Sequence, residues 1–448
     1  MSPTLDVYGP FDSTGSKAIA GLAGDLSSEI VPLDVVEQLL AVVLHSDQPG
    51  LAAWLVARTV SVACGADFSG SASSLPDEYV VEHLSPVIEP RGGLAALYGS
   101  LHGLSSSAGE ERDRANPARV PGLTLWVEGS DTSAVKVTID RRCGRRFDAC
   151  VSDSGLGVAL IQPNRHLSEL TIDDLPTDGD LSPQFYGVHP VDRSAQSQAV
   201  DRALALADGT QLASIAMVAE LATVEEDAAD LSNLSFENLK IVVSGSYHHL
   251  DENGTRRNSI LTHFVGEPSL IRRHSKTGVF KVKVTREVRE GFGFDGEQHE
   301  WMDGRQLSEK VEPSFEVRVF LGEKISCVVL ICADFLDRSV KAVLDKLRPT
   351  VVLVSSMTPK VGVFVNQAQG LVGSSQSTTI LINNPGDFCA TGALCVLPVA
   401  QRERQVVEGP VGSASGVAVV NTRHRSMRVL TEAPIDEVTR GVTSRVAP

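Results

Sequence analysis

A cysteine at the end of an apolar stretch is the residue with the clearest chemical potential in this sequence. The residues from Cys327 to Ile331 are all apolar, as in a strand buried on both faces, and Cys332 follows them directly. A nucleophile in that position is held by a rigid element and opens into a crevice. Taken alone, a cysteine is more often a buried structural thiol. The case for catalysis therefore depends on the residues around Cys332.

Two other residues at or near strand ends have the side chains that a cysteine nucleophile needs. Glu220 follows an apolar stretch at residues 212–218, and Lys276 lies in the polar and basic run between residues 270 and 280. A partly buried carboxylate can take the thiol proton. A lysine cation can stabilise the thiolate and the oxyanion of a tetrahedral intermediate. Glu220, Lys276 and Cys332 in one crevice would form an acyl-transfer site.

The whole chain argues against several functional classes. Its 448 residues carry a net charge of −16, whereas nucleic-acid binding needs a concentrated basic surface. No apolar run approaches the ~20 residues that span a bilayer, and the N-terminus lacks the features of a secretory signal, so we expect a cytoplasmic protein without a membrane interaction. The seven cysteines are scattered, and His248 and His249 are the only adjacent histidines. The pattern indicates neither a disulfide framework nor a zinc site.

Secondary-structure patterns divide the chain into two regions. The first 115 or so residues are predicted to be mostly helical, with helices at 33–44, 51–64 and 77–85. Further along, short apolar strands alternate with helices such as 195–207, which is typical of an α/β protein. An Asn-Gly turn at Asn253 and Gly254 and a strand pair at 316–320 and 324–331 predict hairpins.

Several segments, taken in order, resemble the carbon–nitrogen hydrolase (nitrilase) superfamily. The resemblance covers about residues 151–431. It depends on the first strand, on the segment around the glutamate, on a glycine–turn–Asn–Ser–Arg-Lys run and on the end of the cysteine strand. These segments are Gly157–Gln162, Met217–Ala222, Gly245–Tyr247 with Gly254 and Arg257–Ser259 leading into Arg272–Lys276, and Leu330–Asp334.

The resemblance implies an α/β fold of the nitrilase type. This is a four-layer αββα sandwich over residues 151–448, preceded by a mostly helical N-terminal region at 1–150 of unknown role. It also implies that Glu220, Lys276 and Cys332 form the family's Glu-Lys-Cys triad. The sequence departs from the family pattern at two places. Ala219 stands where the family has a proline before the glutamate, and Gly278 stands where it has a histidine two residues after the lysine.

The family also places a second glutamate beside the triad, between the lysine and the cysteine. Glu297, four residues before Trp301, fits this pattern best, with Glu300 and Glu290 as substitutes. Asp334, two residues after the cysteine, is expected to orient the backbone.

The resulting prediction is an amidase-like hydrolase acting on a small-molecule amide or nitrile. Cys332 attacks the substrate carbon, Glu220 moves the protons and Lys276 holds the oxyanion, with no metal or organic cofactor. The family resemblance implies a homo-oligomer. Two alternatives stay open. One is acyl transfer to an amine, and the other is a non-catalytic nitrilase-like binding or regulatory module that contacts a protein partner through residues 1–150.

Overall fold

The computed structural model describes four short strands of the first 130 residues and most of the chain from 135 to 430. The early strands lie at residues 30–31, 78–81, 94–98 and 123–125. The gaps in the longer range are 153–154, 175–181, 293, 295, 323–324, 348, 376, 387–390, 399–403 and 410–415. The helices predicted at 33–44 and 51–64 therefore lie outside the described residues. Within the described residues, no helix combines the length and apolarity that crossing a membrane requires.

The described strands are numbered in chain order. They are β1 (Ile30–Val31), β2 (Glu78–Val81), β3 (Leu94–Tyr98), β4 (Leu123–Leu125), β5 (Lys136–Asp140), β6 (Val151–Ser152), β7 (Gly155–Ile161), β8 (Leu170–Asp174), β9 (Gln184–Pro190), β10 (Ile215–Val218), β11 (Ile241–Val243), β12 (Tyr247–Leu250), β13 (Arg256–Phe264), β14 (Ile271–Ser275), β15 (Lys281–Lys283), β16 (Gln306–Glu309), β17 (Glu316–Leu321), β18 (Ser326–Ile331), β19 (Val351–Ser356), β20 (Thr378–Asn383), β21 (Ala393–Pro398), β22 (Arg404–Gly409), β23 (Val417–Asn421) and β24 (Ser426–Val429).

The described helices are fewer than the strands. The α-helices are α1 (Arg141–Asp148), α2 (Arg193–Gly209), α3 (Glu225–Asp230), α4 (Arg286–Gly291), α5 (Arg338–Leu347) and α6 (Val361–Ser375). Short stretches of 3-10 helix occupy Leu167–Glu169, Leu231–Asn233, Glu297–Met302 and Cys332–Leu336.

Two large mixed sheets form the centre of the molecule. One has nine strands, in the order β12-β13-β11-β10-β7-β23-β24, with β14 added to β13 and β6 to β7. The other has eight strands, in the order β2-β5-β17-β18-β19-β20-β21-β22. The neighbours β7, β10 and β11 run parallel, as do β18, β19 and β20. Every residue of β7, β18 and β20 is buried, as expected for parallel strands covered on both faces.

One continuous hydrophobic core lies between the two sheets, and helices cover their other faces. The Ser355 hydroxyl of β19 donates to the Val218 carbonyl of β10 at 3.1 Å, which joins the two sheets. Helix α2 packs on β7, β10 and β23, whereas α6 packs on β20, β21 and β22. The chain is thus a four-layer αββα sandwich, and the predicted α/β architecture is confirmed.

A small sheet of four strands, β15-β16-β9-β8, lies beside this sandwich. It has its own hydrophobic cluster, which is separate from the main core. The cluster consists of Leu167, Leu170, Ile172, Phe185, Val188, Leu221, Val282, Val284, Phe292, Phe294, Met302, Leu307 and Met357. Two of its members, Leu221 and Met357, lie at strand ends of the two large sheets, so this cluster reaches the edge where Glu220 and Cys332 are found.

The structure corrects one prediction for the N-terminal region. Residues 77–85 were predicted to be helical, but Glu78–Val81 form β2, which pairs antiparallel with β5. The adjacent Tyr79, Val80 and Val81 have aromatic and β-branched side chains, which favour strands over helices. Strand β5 and helix α1, on the N-terminal side of the predicted boundary at residue 150, pack into the eight-stranded sheet beside β17.

Candidate active site

The three side chains of the predicted triad meet at the carboxyl ends of their strands. Glu220 lies two residues after β10, Lys276 follows β14 and Cys332 follows β18. Each is only 2% exposed. Because strands of both large sheets end at this edge, residues distant in the sequence are brought together there.

Lys276 is held between two carboxylates. Its Nζ lies 2.7 Å from Oε1 of Glu220 and 2.7 Å from Oε2 of Glu309, the last residue of β16. Asn258 joins the same two acids, because its Nδ2 donates to Oε1 of Glu309 at 2.8 Å and to Oε1 of Glu220 at 3.3 Å. An ammonium has three N–H donors, so Lys276 keeps one donor for a ligand.

The second glutamate beside the lysine is Glu309 and not the predicted Glu297. Glu297 is exposed in the 3-10 helix Glu297–Met302, as is Glu300, whereas Glu290 pairs with Arg286 at the surface. Burial in β16 alternates, with Leu307 and Glu309 on the buried face, and this period of two directs Glu309 inward. The alternation is visible in the sequence, but the spacing rule used for the prediction pointed to an earlier loop.

Cys332 occupies a sharp turn between β18 and a 3-10 helix. Its φ is +44°, a left-handed conformation that a residue with a side chain seldom adopts. Such strain is found where the surrounding structure fixes a functional residue. The Ser356 hydroxyl lies 3.7 Å from Sγ, and the thiol in turn lies 4.0 Å from the Met357 carbonyl. Ser356 is the last residue of β19, the strand next to β18, and Met357 follows it directly.

The pKa values of the two glutamates shift in opposite directions. Burial raises the pKa of the Glu220 carboxyl, against the nearby Lys276 cation. Burial acts the same way on Glu309, but there the Lys276 cation and the hydrogen bond from His248 hold the pKa well below its usual value. Two acids with pKa values moved in opposite directions indicate one permanent anion and one proton carrier. The carboxylate form is therefore favoured at Glu309, whereas burial favours the protonated form at Glu220.

The surroundings of Cys332 favour the protonated form of its thiol. Burial raises the pKa of the Cys332 thiol, the charge of Glu220 raises it further, and Lys276 opposes both. Oε2 of Glu220 is buried and has no hydrogen-bond partner among the described residues. A proton that moves from Sγ to this oxygen leaves the net charge of the site unchanged. Ionisation of the thiol to solvent, in contrast, would add a second net negative charge in a buried place.

Burial lowers the pKa of Lys276, yet the charges of Glu220 and Glu309 outweigh it and set the pKa well above its usual value. The lysine is therefore a cation at neutral pH. A cation with one free donor next to Sγ is suited to an oxyanion.

Asp334 connects the turn of the cysteine to the segment of the lysine. It is fully buried, and its Oδ1 accepts hydrogen bonds from the backbone N–H groups of Thr277 and Gly278 at 2.7 Å each. Its Oδ2 accepts from the Ile331 backbone at 3.1 Å and lies 2.8 Å from Nε2 of His274. This geometry agrees with the expectation that Asp334 orients the backbone.

The departure from the family pattern at Gly278 has a packing explanation. A Cβ at this position would lie 2.9 Å from the backbone C and O of Ala333, beside the cysteine. A histidine does not fit there without a backbone shift. Gly278 allows the lysine segment to approach the cysteine turn closely.

The cluster of the small sheet supplies apolar side chains beside the site. Leu221, directly after the glutamate, and Met357, whose carbonyl faces the thiol, both belong to that cluster. The Phe280 ring packs against it, with its centroid 5.9 Å from Nζ of Lys276. The walls around the polar residues are therefore apolar, which strengthens their electrostatic interactions.

Comparison with known proteins gives similarity only at the level of solved structures. No family model matches the chain, and no curated protein matches it. A glutamine-dependent NAD+ synthetase from Acinetobacter baumannii is similar over 63% of this chain and 49% of its own, with 17% identity and a TM-score of 0.40. This chain thus spans about half the length of that protein.

Shorter proteins are similar over more of their length. An amidase from Nesterenkonia sp. is similar over 58% of this chain and 92% of its own, with 14% identity and a TM-score of 0.37. A member of the nitrilase superfamily from Saccharomyces cerevisiae is similar over 60% of this chain and 83% of its own, with 14% identity and a TM-score of 0.34. The solved structures similar to this chain thus include nitrilase-superfamily members, the family that the sequence motifs resemble.

Proposed function

We propose that this protein is an amidase-type carbon–nitrogen hydrolase with Cys332 as its nucleophile. The observation that carries the proposal is the position of Lys276, held at 2.7 Å by each of two buried glutamates and next to the cysteine. Removing a lysine cation and two carboxylates from water costs free energy. Their burial together therefore argues for a functional role of the lysine.

In the first half of the reaction, Sγ of Cys332 attacks the carbonyl carbon of an amide while its proton passes to Oε2 of Glu220. The free donor of Lys276 stabilises the negative oxygen of the tetrahedral intermediate. Glu220 then gives its proton to the departing nitrogen. The carbon–nitrogen bond breaks, and an amine or ammonia leaves behind a thioester on Cys332.

In the second half, a water molecule replaces the amine. Glu220 takes a proton from the water as it attacks the thioester carbon, and Lys276 again holds the oxyanion. The carbon–sulfur bond breaks, the proton returns to Sγ and a carboxylic acid is released. An amine in place of water would give acyl transfer by the same steps.

A panel of primary amides tests the proposal through ammonia release. We expect release from at least one amide by the wild-type protein and none by Cys332→Ala, with hydroxylamine converting the thioester to a hydroxamate. Equal release by both proteins would contradict a cysteine mechanism. A wild-type protein that binds an amide but neither releases ammonia nor forms an acyl adduct would favour the binding module.

A further inference from the structure

His248 is a buried residue of β12 that contacts Glu309, the carboxylate bound to Lys276. Its side chain is 1% exposed, and its Nε2 lies 2.8 Å from Oε1 of Glu309. The other oxygen of Glu309 binds Lys276. His248 therefore binds one carboxylate oxygen of Glu309, and Lys276 binds the other.

The other ring nitrogen of His248 identifies where its proton lies. The backbone N–H groups of Gly187 and Val188 in β9 both donate to Nδ1, at 3.0 and 3.1 Å. Backbone N–H groups only donate, so Nδ1 has to accept with its lone pair. The proton of the neutral ring is thus on Nε2, where it donates to Glu309.

The local backbone is shaped for this acceptance. Gly187 has a φ of +77°, a conformation favoured by glycine, and two successive N–H groups then converge on one point. Such a concavity attracts a lone pair or an anion and repels a proton. A doubly protonated His248 would place an N–H against two N–H donors.

The ring is also fixed in its plane. Tyr186 stacks on His248 with ring centroids 4.8 Å apart and an angle of 15°, and the Arg256 guanidinium lies 4.6 Å from the centroid of Tyr186. The charged and titratable groups that face the imidazole are therefore Glu309 at its edge and Tyr186, with Arg256 behind it, at its face.

We infer that His248 is a positioning residue that acts only as a neutral Nε2–H donor, fixing Glu309 as the anion that orients Lys276. Through Gly187 and Val188, the small sheet then becomes part of the support of the site. The inference rests on the proposed function, since it assigns the lysine a role in catalysis.

Selective 15N labelling of the histidines tests the tautomer without any catalysis. The signal of His248 is assigned by its loss in His248→Gln. We expect Nε2 to carry a proton and Nδ1 to carry none, because Nδ1 accepts from two backbone N–H groups. A proton on Nδ1 would overturn the inference.

The pH dependence of iodoacetamide labelling at Cys332 tests the positioning role. We expect His248→Leu to slow labelling at pH 7 by about 10-fold, typical of a lost supporting hydrogen bond, and to move the acid limb of the profile upward. In His248→Gln, whose side-chain amide can still donate to Glu309, we expect most of the rate to be restored. His249→Gln, on the opposite face of β12, is the matched control and should leave the profile unchanged.

An unaltered profile in His248→Leu would overturn the role of His248, whatever its tautomer. If Cys332 of the wild-type protein instead labels no faster than the other cysteines, the proposed function fails. In that case the 15N measurement still establishes which ring nitrogen of His248 carries the proton.

Discussion

Cys327 and Cys332 lie five residues apart at the two ends of one apolar run, yet their surroundings differ. Both are buried, and burial raises the pKa of both thiols. Sγ of Cys327, inside β18, has as its polar contact the carbonyl of the next residue, Val328, at 3.9 Å. Cys332, one residue past the strand, has Glu220 and Lys276 beside it.

We infer from this difference that burial alone would not make a thiol reactive. Inside a central strand, both faces are covered by apolar side chains, so no acid or base can approach. At the strand end the chain turns, and side chains from other strands of both sheets converge.

Removal of the two thiols should have opposite consequences. We expect Cys332→Ala to lower amide turnover on the order of 10⁴-fold or more, since loss of a nucleophile removes the covalent pathway. Cys327→Ala should keep turnover and lose about 1 kcal/mol of unfolding free energy through a small cavity. Steady-state kinetics and urea unfolding of both variants measure this. Comparable losses of turnover in the two variants would contradict a catalytic role that is confined to the thiol at the strand end.

Removal of the lysine should damage stability as well as activity. Lys276→Met leaves Glu220 and Glu309 buried without a cation, which should cost about 3–5 kcal/mol of unfolding free energy at pH 7. The uncompensated carboxyls then have folded-state pKa values above their unfolded values. The deficit should therefore shrink as the pH falls from 7 towards about 4, the ordinary pKa of a glutamate, because the folded state takes up protons before the unfolded state does. Urea unfolding across this range measures it.

Lys281→Met, at an exposed position of β15, is the control for the lysine variant. It should change the unfolding free energy by less than about 0.5 kcal/mol. A similar loss of unfolding free energy in both variants would show that the buried lysine stabilises the fold no more than the exposed one does.

Asp334 should matter more than a nearby aspartate. Asp334→Asn keeps the shape but turns an acceptor into a donor facing backbone N–H groups, which should cost about 2–3 kcal/mol and slow Cys332 labelling. Asp337 caps α5 by accepting from the Ser339 and Val340 backbones, a task that asparagine performs equally well. Thermal unfolding of Asp334→Asn and Asp337→Asn should separate them clearly. Unchanged stability and an unchanged labelling rate in Asp334→Asn would show that Asp334 does not hold the cysteine turn.

The close approach at Gly278 gives the smallest predicted effect. Gly278→Ala should lower the unfolding free energy by about 1–3 kcal/mol, because its Cβ meets the Ala333 backbone. Gly370→Ala, inside α6 with open space around its Cβ, should instead raise it by about 0.5–1 kcal/mol. Denaturant unfolding of both variants measures the two signs. A stabilising Gly278→Ala would show that a larger residue fits beside the cysteine.

Sequence patterns predicted the elements whose burial follows their local composition. Strand β7 and the residues of β18 after Ser326 are apolar, and the hairpin of β12 and β13 turns at Asn253 and Gly254, so each is visible in a few residues. Helix α6 was missed because Val361–Ser375 contains three glycines and several β-branched residues, which have poor helix propensity. Its packing on β20 and β21 compensates for that propensity, and such packing is not visible locally.

The residues of the site were likewise predicted only in part. Glu220 and Cys332 follow recognisable apolar strands, whereas Lys276 lies in a polar and basic run, and the structure brings the three together. Glu309 was missed because the loops before it have no fixed length, so counting from the lysine does not reach it. His248 carries no signal at all, since its partners include backbone N–H groups of β9, 60 and 61 residues away.

Alkylation rates measure whether Glu220 activates Cys332 as proposed. Iodoacetamide labelling of each of the seven cysteines is followed by peptide mass, in the wild-type protein and in Glu220→Gln. We predict that Cys332 labels first and well ahead of the others. In Glu220→Gln its rate should fall by about 10² or more, because the amide cannot accept the thiol proton. If Cys332 labels no faster than the other cysteines, or equally fast without Glu220, the account is contradicted.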